Sequence, residues 1–340
     1  MNSQNSNKNS QVNSQVEVLA AKRIKHTRVS KVMTELDTLI YPSSQDSILL
    51  VCGPSGAGKT TLARHMVHNA LKQARSQLET QRGIIPAIYT EAPSSGENDF
   101  SWRLFYQRVL AQLDDDADSP KLVYGIDQET GRMNQARALN RGTTLAALRT
   151  AVERGLRARQ VQFLVIDEAA HIIRQTRGEK RLEIQLDTLK SLANLCGTQM
   201  VLIGSYDLYK LVSLSGQLAR RTHVVHFERY RQDQPEDALA FERCVSGFEK
   251  TLPELWGGGQ LKRHSKALHE NTLGCIGTLS SVLVRAARLA STTKAWTTSS
   301  LERAFLTTAQ HNRILEEILD GEAGIGPNLM CSVGELEIAS

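Results

Sequence analysis

Short apolar runs alternate with longer stretches of helical periodicity over the first two thirds of the chain. Ile48 to Cys52, Ile84 to Tyr89, Val161 to Ile166, Gln199 to Gly204 and Val224 to Phe227 read as strands. Between them, Val16 to Leu39, Thr61 to Gln81, Phe100 to Leu113 and Leu182 to Leu195 read as helices. Leu145, Leu148, Val152 and Leu156 fall on one face of a further helix. Strands that alternate with helices imply a parallel sheet covered on both faces. Beyond Pro235 the pattern turns wholly helical, over about 237–252, 260–270, 279–291 and 299–319, and Ser299 with Glu302 form a candidate capping box. The expected fold is therefore α/β: a five-stranded parallel sheet flanked by helices, followed by a small all-helical lid. The boundaries expected are a disordered polar leader over 1–16, an α/β domain over 17–234, the lid over 235–320 and a tail over 321–340.

Composition changes this picture little, because 41% hydrophobic and 23% charged residues in 340 are ordinary for a globular protein. The leader is almost all Asn, Ser and Gln, too polar to offset its own ordering entropy. No apolar run approaches the roughly 20 residues of a membrane helix, so no membrane partner is expected. The five cysteines (Cys52, Cys196, Cys244, Cys275 and Cys331) have no metal-like spacing and read as reduced thiols. A cytoplasmic chain is the matching expectation. Net charge is +5, but its distribution is more telling. Between Arg132 and Arg159 there are seven arginines against one acid, Glu153, and a second cluster follows at Arg174, Arg177, Lys180 and Arg181. The stretch from Asp114 to Arg141 is polar, turn-rich and longer than an ordinary connection. Trp102, Phe105, Tyr106, Val109 and Leu113 recur at helical spacing and read as core, with base stacking as the alternative.

Two segments carry candidate chemistry. Gly53, Pro54, Ser55, Gly56, Ala57, Gly58, Lys59 and Thr60 fit G-x-x-x-x-G-K-[ST], follow a strand and open a helix at Thr61. In such a loop, backbone N–H groups converge on phosphate oxygens and the helix N-terminus adds positive dipole. Lys59 would contact the β- and γ-phosphates of ATP, and Thr60 would ligate Mg2+. The second segment, Phe163 to Glu168, is a buried-strand pattern ending in two acids. Asp167 would hold magnesium through water, and Glu168 would act as general base toward the attacking water. Ser205, at the end of the next strand, would orient that water; a plain turn is the other reading. Arg220 and Arg221 precede the last strand and would reach a neighbouring subunit's γ-phosphate, unless they form a solvated cationic turn.

In this order, loop, Asp-Glu strand, sensor strand, arginine pair and helical lid resemble the P-loop AAA+ ATPases. Within them the chain is similar to TnsC/TniB-type regulators of transposition, including those of CRISPR-associated transposons. The features that carry the likeness, over roughly residues 20–310, are Arg23 to His26, Gly53 to Thr61, Leu164 to His171, Val201 to Ser205, and Gln217 to Thr222 leading into His226 and Phe227. The resemblance implies ATP-dependent helical oligomers on double-stranded DNA, linking a target-selection protein, possibly a CRISPR effector adaptor, to a transposase. Hydrolysis would reset the assembly, and the setting would be the bacterial nucleoid. Arg132, Arg137, Arg141, Arg174, Arg177, Lys180 and Arg181 are the expected phosphate contacts. A helicase or replication-factor loader of the same class is the alternative. One departure stands out: AAA+ lids often carry an arginine at a helix start, but Gly274 to Leu279 offers none, and Arg285 and Arg288 lie about two turns later.

Overall fold

An aliphatic run with no polar face is stable only where both sides are covered, and β1 (Ile48–Cys52) is buried at every position. The other strands are β2 (Ala87–Glu91), β3 (Phe163–Asp167), β4 (Gln199–Gly204) and β5 (Thr222–His226). They form a five-stranded parallel sheet in the order β2-β3-β4-β1-β5, with Ile48 opposite Met200, Leu164 opposite Met200 and Ala87 opposite Phe163. The fully buried strands β3 and β4 are central, and β2 and β5 are the partly exposed edges. The computed structural model describes residues 16–41, 47–81, 83–94, 96, 99–113, 144–176, 178–212, 222–256, 259–293 and 296–325.

Helices of the N-terminal part are α1 (16–21), α2 (Thr27–Leu39), α3 (Lys59–Gln73), α4 (Arg75–Thr80), α5 (Trp102–Leu113), α6 (Leu145–Ala158), α7 (Ala170–Arg174) and α8 (Glu179–Cys196). Those after β5 are α9 (Pro235–Glu249), α10 (Pro253–Trp256), α11 (Gln260–Arg263), α12 (Ser265–Thr272), α13 (Ile276–Thr293), α14 (Thr298–Glu302) and α15 (Thr308–Ile325). Two compact units result. A sheet unit comprises the described parts of Lys31–Cys52 and Lys59–Val225, and a helical unit those of Met1–Ser30, Gly53–Gly58 and His226–Ser340. In the helical unit Val16 and Leu19 of α1 share a core with Phe241, Phe248, Trp256, Leu279 and Leu283, and Trp256 meets Trp296 edge-on at 4.7 Å. The α5 stripe is core: Phe105, Tyr106, Val109 and Leu113 are buried, and Trp102 donates to Gln185. In α6, Leu148, Val152 and Leu156 are buried, whereas Leu145 in the first turn is exposed; Thr144 caps the helix by accepting from Ala147 N at 3.2 Å.

Several boundaries differ from the sequence pattern for identifiable reasons. Strand β2 begins at Ala87 because Pro86 has no N–H to give the ladder; its carbonyl instead accepts from Gln162 N at 2.9 Å. The expected helix 61–81 is split at Ala74, and the lead-in 16–39 is broken over 22–26. The expected helix 299–319 is two helices, and the capping box lies between them. Gln310 Oε1 accepts from Thr307 N at 3.0 Å while Thr307 Oγ1 accepts from Gln310 N at 3.4 Å. Ser299 lies inside α14, whose cap is Thr297, accepting from Ser300 N at 3.2 Å, so Ser299 and Glu302 do not form a box. Residues 321–325 continue α15.

Candidate nucleotide site

Within the sheet unit, β1, β3 and β4 run parallel and so finish on one edge, with β4 between the other two. That edge carries Asp167 at the end of β3 and Ser205 just past β4; Lys59, Thr60 and Thr61 form the first turn of α3. Asp167 is 2% exposed, and both carboxylate oxygens are held. Its Oδ2 accepts from the Tyr89 hydroxyl at 3.1 Å, and its Oδ1 accepts from Glu168 N at 2.9 Å. Register explains the first bond: Tyr89 lies opposite Val165, and side chains two residues apart share a face, so Tyr89 and Asp167 meet diagonally. Burial, then the negative charge of Asp167, push the Tyr89 phenol up to about 12, which keeps it a donor. The Arg64 guanidinium sits 5.7 Å from the Tyr89 ring centre.

Glu168 is exposed and adopts φ +51°, a left-handed conformation costing a non-glycine residue about 1–2 kcal/mol. The twist follows the last strand residue at once: His171 N donates to the Glu168 carbonyl at 2.9 Å and starts α7, while Ala169 N is tied to Ile203 O of β4 at 3.0 Å. Both neighbours of Glu168 are thus fixed, while its own side chain is exposed. Ser205 is buried, accepts from Arg174 Nη2 at 3.2 Å and lies 3.4 Å from Asp207 Oδ2. Arg174 and Asp207 form an ion pair at 2.7 Å, so Arg174, expected at DNA, is engaged beside Ser205.

Within the helical unit, loop residues 53–58 meet the lid. The Gly56 carbonyl accepts from Gly277 N at 2.6 Å and Thr278 N at 3.2 Å, and the Ser55 hydroxyl donates to Glu317 at 3.4 Å. The segment Arg23 to His26 ends against Tyr230, whose hydroxyl lies 3.0 Å from His26 Nδ1 and 2.8 Å from Thr27 Oγ1. Burial first, then the Arg28 cation, pull the His26 imidazole down to about 4. Arg28 bridges Glu228 and Asp237 at 2.6 Å each. Arg285 donates to the Ala304 carbonyl at 3.0 Å.

Of the remaining sequence candidates, Lys180 and Arg181 are exposed on α8, and Arg181 pairs with Asp99 at 3.1 Å. Arg132, Arg137, Arg141, Arg177, Arg220 and Arg221 lie outside the described residues. Tyr89, Asp207 and the Gly277–Thr278 pair were not singled out by sequence; a lone tyrosine in an aliphatic strand, needing a partner for its hydroxyl, is the one signal available. A cavity of about 510 Å³ lined by Tyr41, Gln162, Thr198 and Gln199 opens at the amino ends of β3 and β4, and no expected site residue lines it. Among the described residues no His/Cys/Asp/Glu cluster could hold a metal by itself, and Cys52, Cys196, Cys244 and Cys275 form no disulfide. Among them too, no single helix is long and apolar enough to cross a membrane.

The phosphate loop opening α3, the acid pair closing β3 and the intercalated β4 together define a P-loop nucleotide-binding protein. A family model described as "AAA domain" matches residues 42–212, half of the chain, and the chain belongs to that family. Solved structures agree on the fold. The ORC2 protein of Aeropyrum pernix, in ADPNP and ADP complexes, superposes with TM-score 0.55 at 13% identity over 95% of this chain and 74% of its own. A Walker-type ATPase of Pyrococcus abyssi gives 0.52 at 13% identity, over 95% and 80%. No curated protein matches the sequence.

Proposed function

We propose that this chain is an ATP-hydrolysing switch that assembles on double-stranded DNA and regulates transposition in the manner of the TnsC/TniB proteins it resembles. The observation that carries the ATPase reading is the Asp167–Glu168 pair. One carboxylate is buried and fixed by Tyr89 and a backbone amide; the next is exposed on a strained backbone beside it. Strain of that kind persists where the surroundings over-determine it, which is typical of functional sites. Amides of the loop and Lys59 would bind the phosphates, and Thr60 with Asp167 would hold magnesium. Asp167 fits that ion: a hard oxygen donor with restricted orientation. Bound magnesium would neutralise charge developing on phosphate oxygens. Glu168 would take the proton of the attacking water, and Ser205 would orient that water.

The finer reading is supported by the resemblance and by charge. A filament around a duplex needs Lys and Arg facing phosphates with little base readout, and the clusters over Arg132–Arg141 and Arg174–Arg181 have that character. Self-association would place Arg220 or Arg221 at a neighbour's nucleotide, and a transposase and a target-selection protein would be the partners. The test is phosphate release with and without linear duplex DNA, paired with negative-stain imaging in ATP. Stimulated turnover and helical particles are expected; monomers whose turnover ignores DNA would remove the transposition reading. Mixing Arg220→Ala or Arg221→Ala with Lys59→Ala subunits is expected to restore part of the lost activity, and no recovery at any ratio opposes a role in trans.

A further inference from the structure

Helix α13 starts with backbone donors that its own ladder cannot use. Its first internal bond is Leu279 N to the Cys275 carbonyl at 2.9 Å, so the amides of Ile276, Gly277 and Thr278 precede the ladder. Two of these three donate to a single oxygen, the Gly56 carbonyl in the middle of the phosphate loop, at 2.6 and 3.2 Å. The approach leaves no room for side chains. Gly56 has φ +80°, and a Cβ on it would collide with the Thr278 hydroxyl; a Cβ on Gly277 would stand 2.6 Å from the Gly56 oxygen. The loop tip has a second lid contact through the Ser55 hydroxyl and Glu317 of α15, a helix anchored by Arg229 on Glu322 at 2.8 Å. The turn that launches α13 is itself fixed, since the Gly274 carbonyl accepts from Tyr230 N at 3.1 Å.

We propose that Gly277 and Thr278 are positioning residues through which the lid registers the state of the phosphate loop, in place of a lid arginine. The inference rests on the ATP-binding reading above. Its physical basis is the rigid peptide plane joining Gly56 to Ala57. On one side of that plane the oxygen is held by α13; on the other, Ala57 N donates to the Pro54 carbonyl at 3.2 Å. A phosphate that draws the Ala57 N–H away from Pro54 turns the same plane and moves the oxygen that the lid holds. The two lid amides then follow the nucleotide without touching it. Arg285, committed to the Ala304 carbonyl, is not required for this coupling.

The experiment compares the wild-type chain with Gly277→Ala, which forces loop and helix apart, and Thr278→Pro, which deletes one donor in a helical first turn that accepts proline. Calorimetry gives the ATP and ADP affinities, and steady-state hydrolysis gives kcat and KM. Both variants should melt near the wild-type temperature without nucleotide, yet their ATP-to-ADP affinity ratio should shift about 3- to 10-fold, the worth of one or two hydrogen bonds. Folded variants with the wild-type ratio and wild-type KM would overturn the proposal. Should neither variant fold, amide exchange of residues 276–279 in the wild type decides. Different protection with ADP and with a non-hydrolysable ATP analogue supports it, and identical exchange overturns it. A wild-type chain that binds no ATP would instead refute the ATPase reading, whereas ATP binding with an unmoved ratio removes only the lid's role.

Discussion

Tyr89 on the edge strand holds Asp167 on its neighbour through a 3.1 Å hydrogen bond from phenol to carboxylate. The acid is buried, so losing this donor leaves a desolvated oxygen with one partner fewer. Tyr89→Phe is expected to cost about 1–3 kcal/mol in urea unfolding. If Asp167 holds magnesium, the magnesium concentration for half-maximal hydrolysis should also rise about tenfold, as for other groups that orient a metal ligand. An unchanged magnesium dependence would show that Tyr89 supports the fold and not the ion.

Glu168 combines a costly backbone with the expected base, and the two can be separated. Glu168→Gln keeps the backbone problem and removes the base, so ATP should still bind while turnover falls roughly 100-fold or more. Glu168→Gly relieves φ +51° and is expected to stabilise the chain by about 1 kcal/mol while also abolishing turnover. Thermal melts beside phosphate-release assays check both. A glycine variant no more stable than wild type would mean that no strain is stored there; a glutamine variant with normal turnover would reassign the base.

The local patterns carried much of this arrangement. Ile48–Cys52 and Gln199–Gly204 are strands over the residues that their apolar runs predict, and the loop and acid pair were legible because their chemistry is contiguous in sequence. Tyr89 was not legible as a partner of Asp167, since their meeting depends on β2 lying beside β3 in a register that sequence order does not specify. The Gly56–Gly277 contact was hidden for a similar reason: it joins backbone atoms far apart in the chain, and glycines carry no pattern of their own. Pro86 shortened β2 and Thr307 broke the last helix, both local effects that apolar periodicity passes over.

Arg174 and Lys180 separate two uses of positive charge. The Arg174 side chain is half exposed but bound to Asp207 at 2.7 Å and to Ser205 at 3.2 Å. Such an ion pair contributes at most about 1 kcal/mol to stability, so its consequence should lie in holding the serine. Arg174→Ala is expected to lower DNA-free turnover several-fold, with Asp207→Ala giving a similar loss and the double variant little more. Lys180→Ala should weaken duplex binding and reduce the slope of log affinity against log salt by about 1. Titrations at several salt concentrations test the second expectation. An Arg174 variant that loses DNA affinity alone would restore that residue to the DNA surface.

His26 makes the helical unit sensitive to acid. Buried against Tyr230 and near the Arg28 cation, its imidazole titrates at about 4 in the folded chain, against 6.5 when free. Between those values the unfolded chain takes up a proton that the folded chain refuses, so stability falls as pH drops. The contribution is fully present above pH 6.5 and declines toward pH 4, with an upper bound of about 3 kcal/mol because each pKa unit is worth about 1.4 kcal/mol. His26→Leu has no such proton, although it forfeits the bond to Tyr230. Its deficit relative to wild type in urea unfolding should therefore shrink by about 2–3 kcal/mol between pH 7.5 and pH 4.5. Arg28, Glu228 and Asp237, which face this cluster, are common to both chains, so the difference isolates the imidazole. Parallel stability curves for the two chains would place His26 in an environment as polar as water.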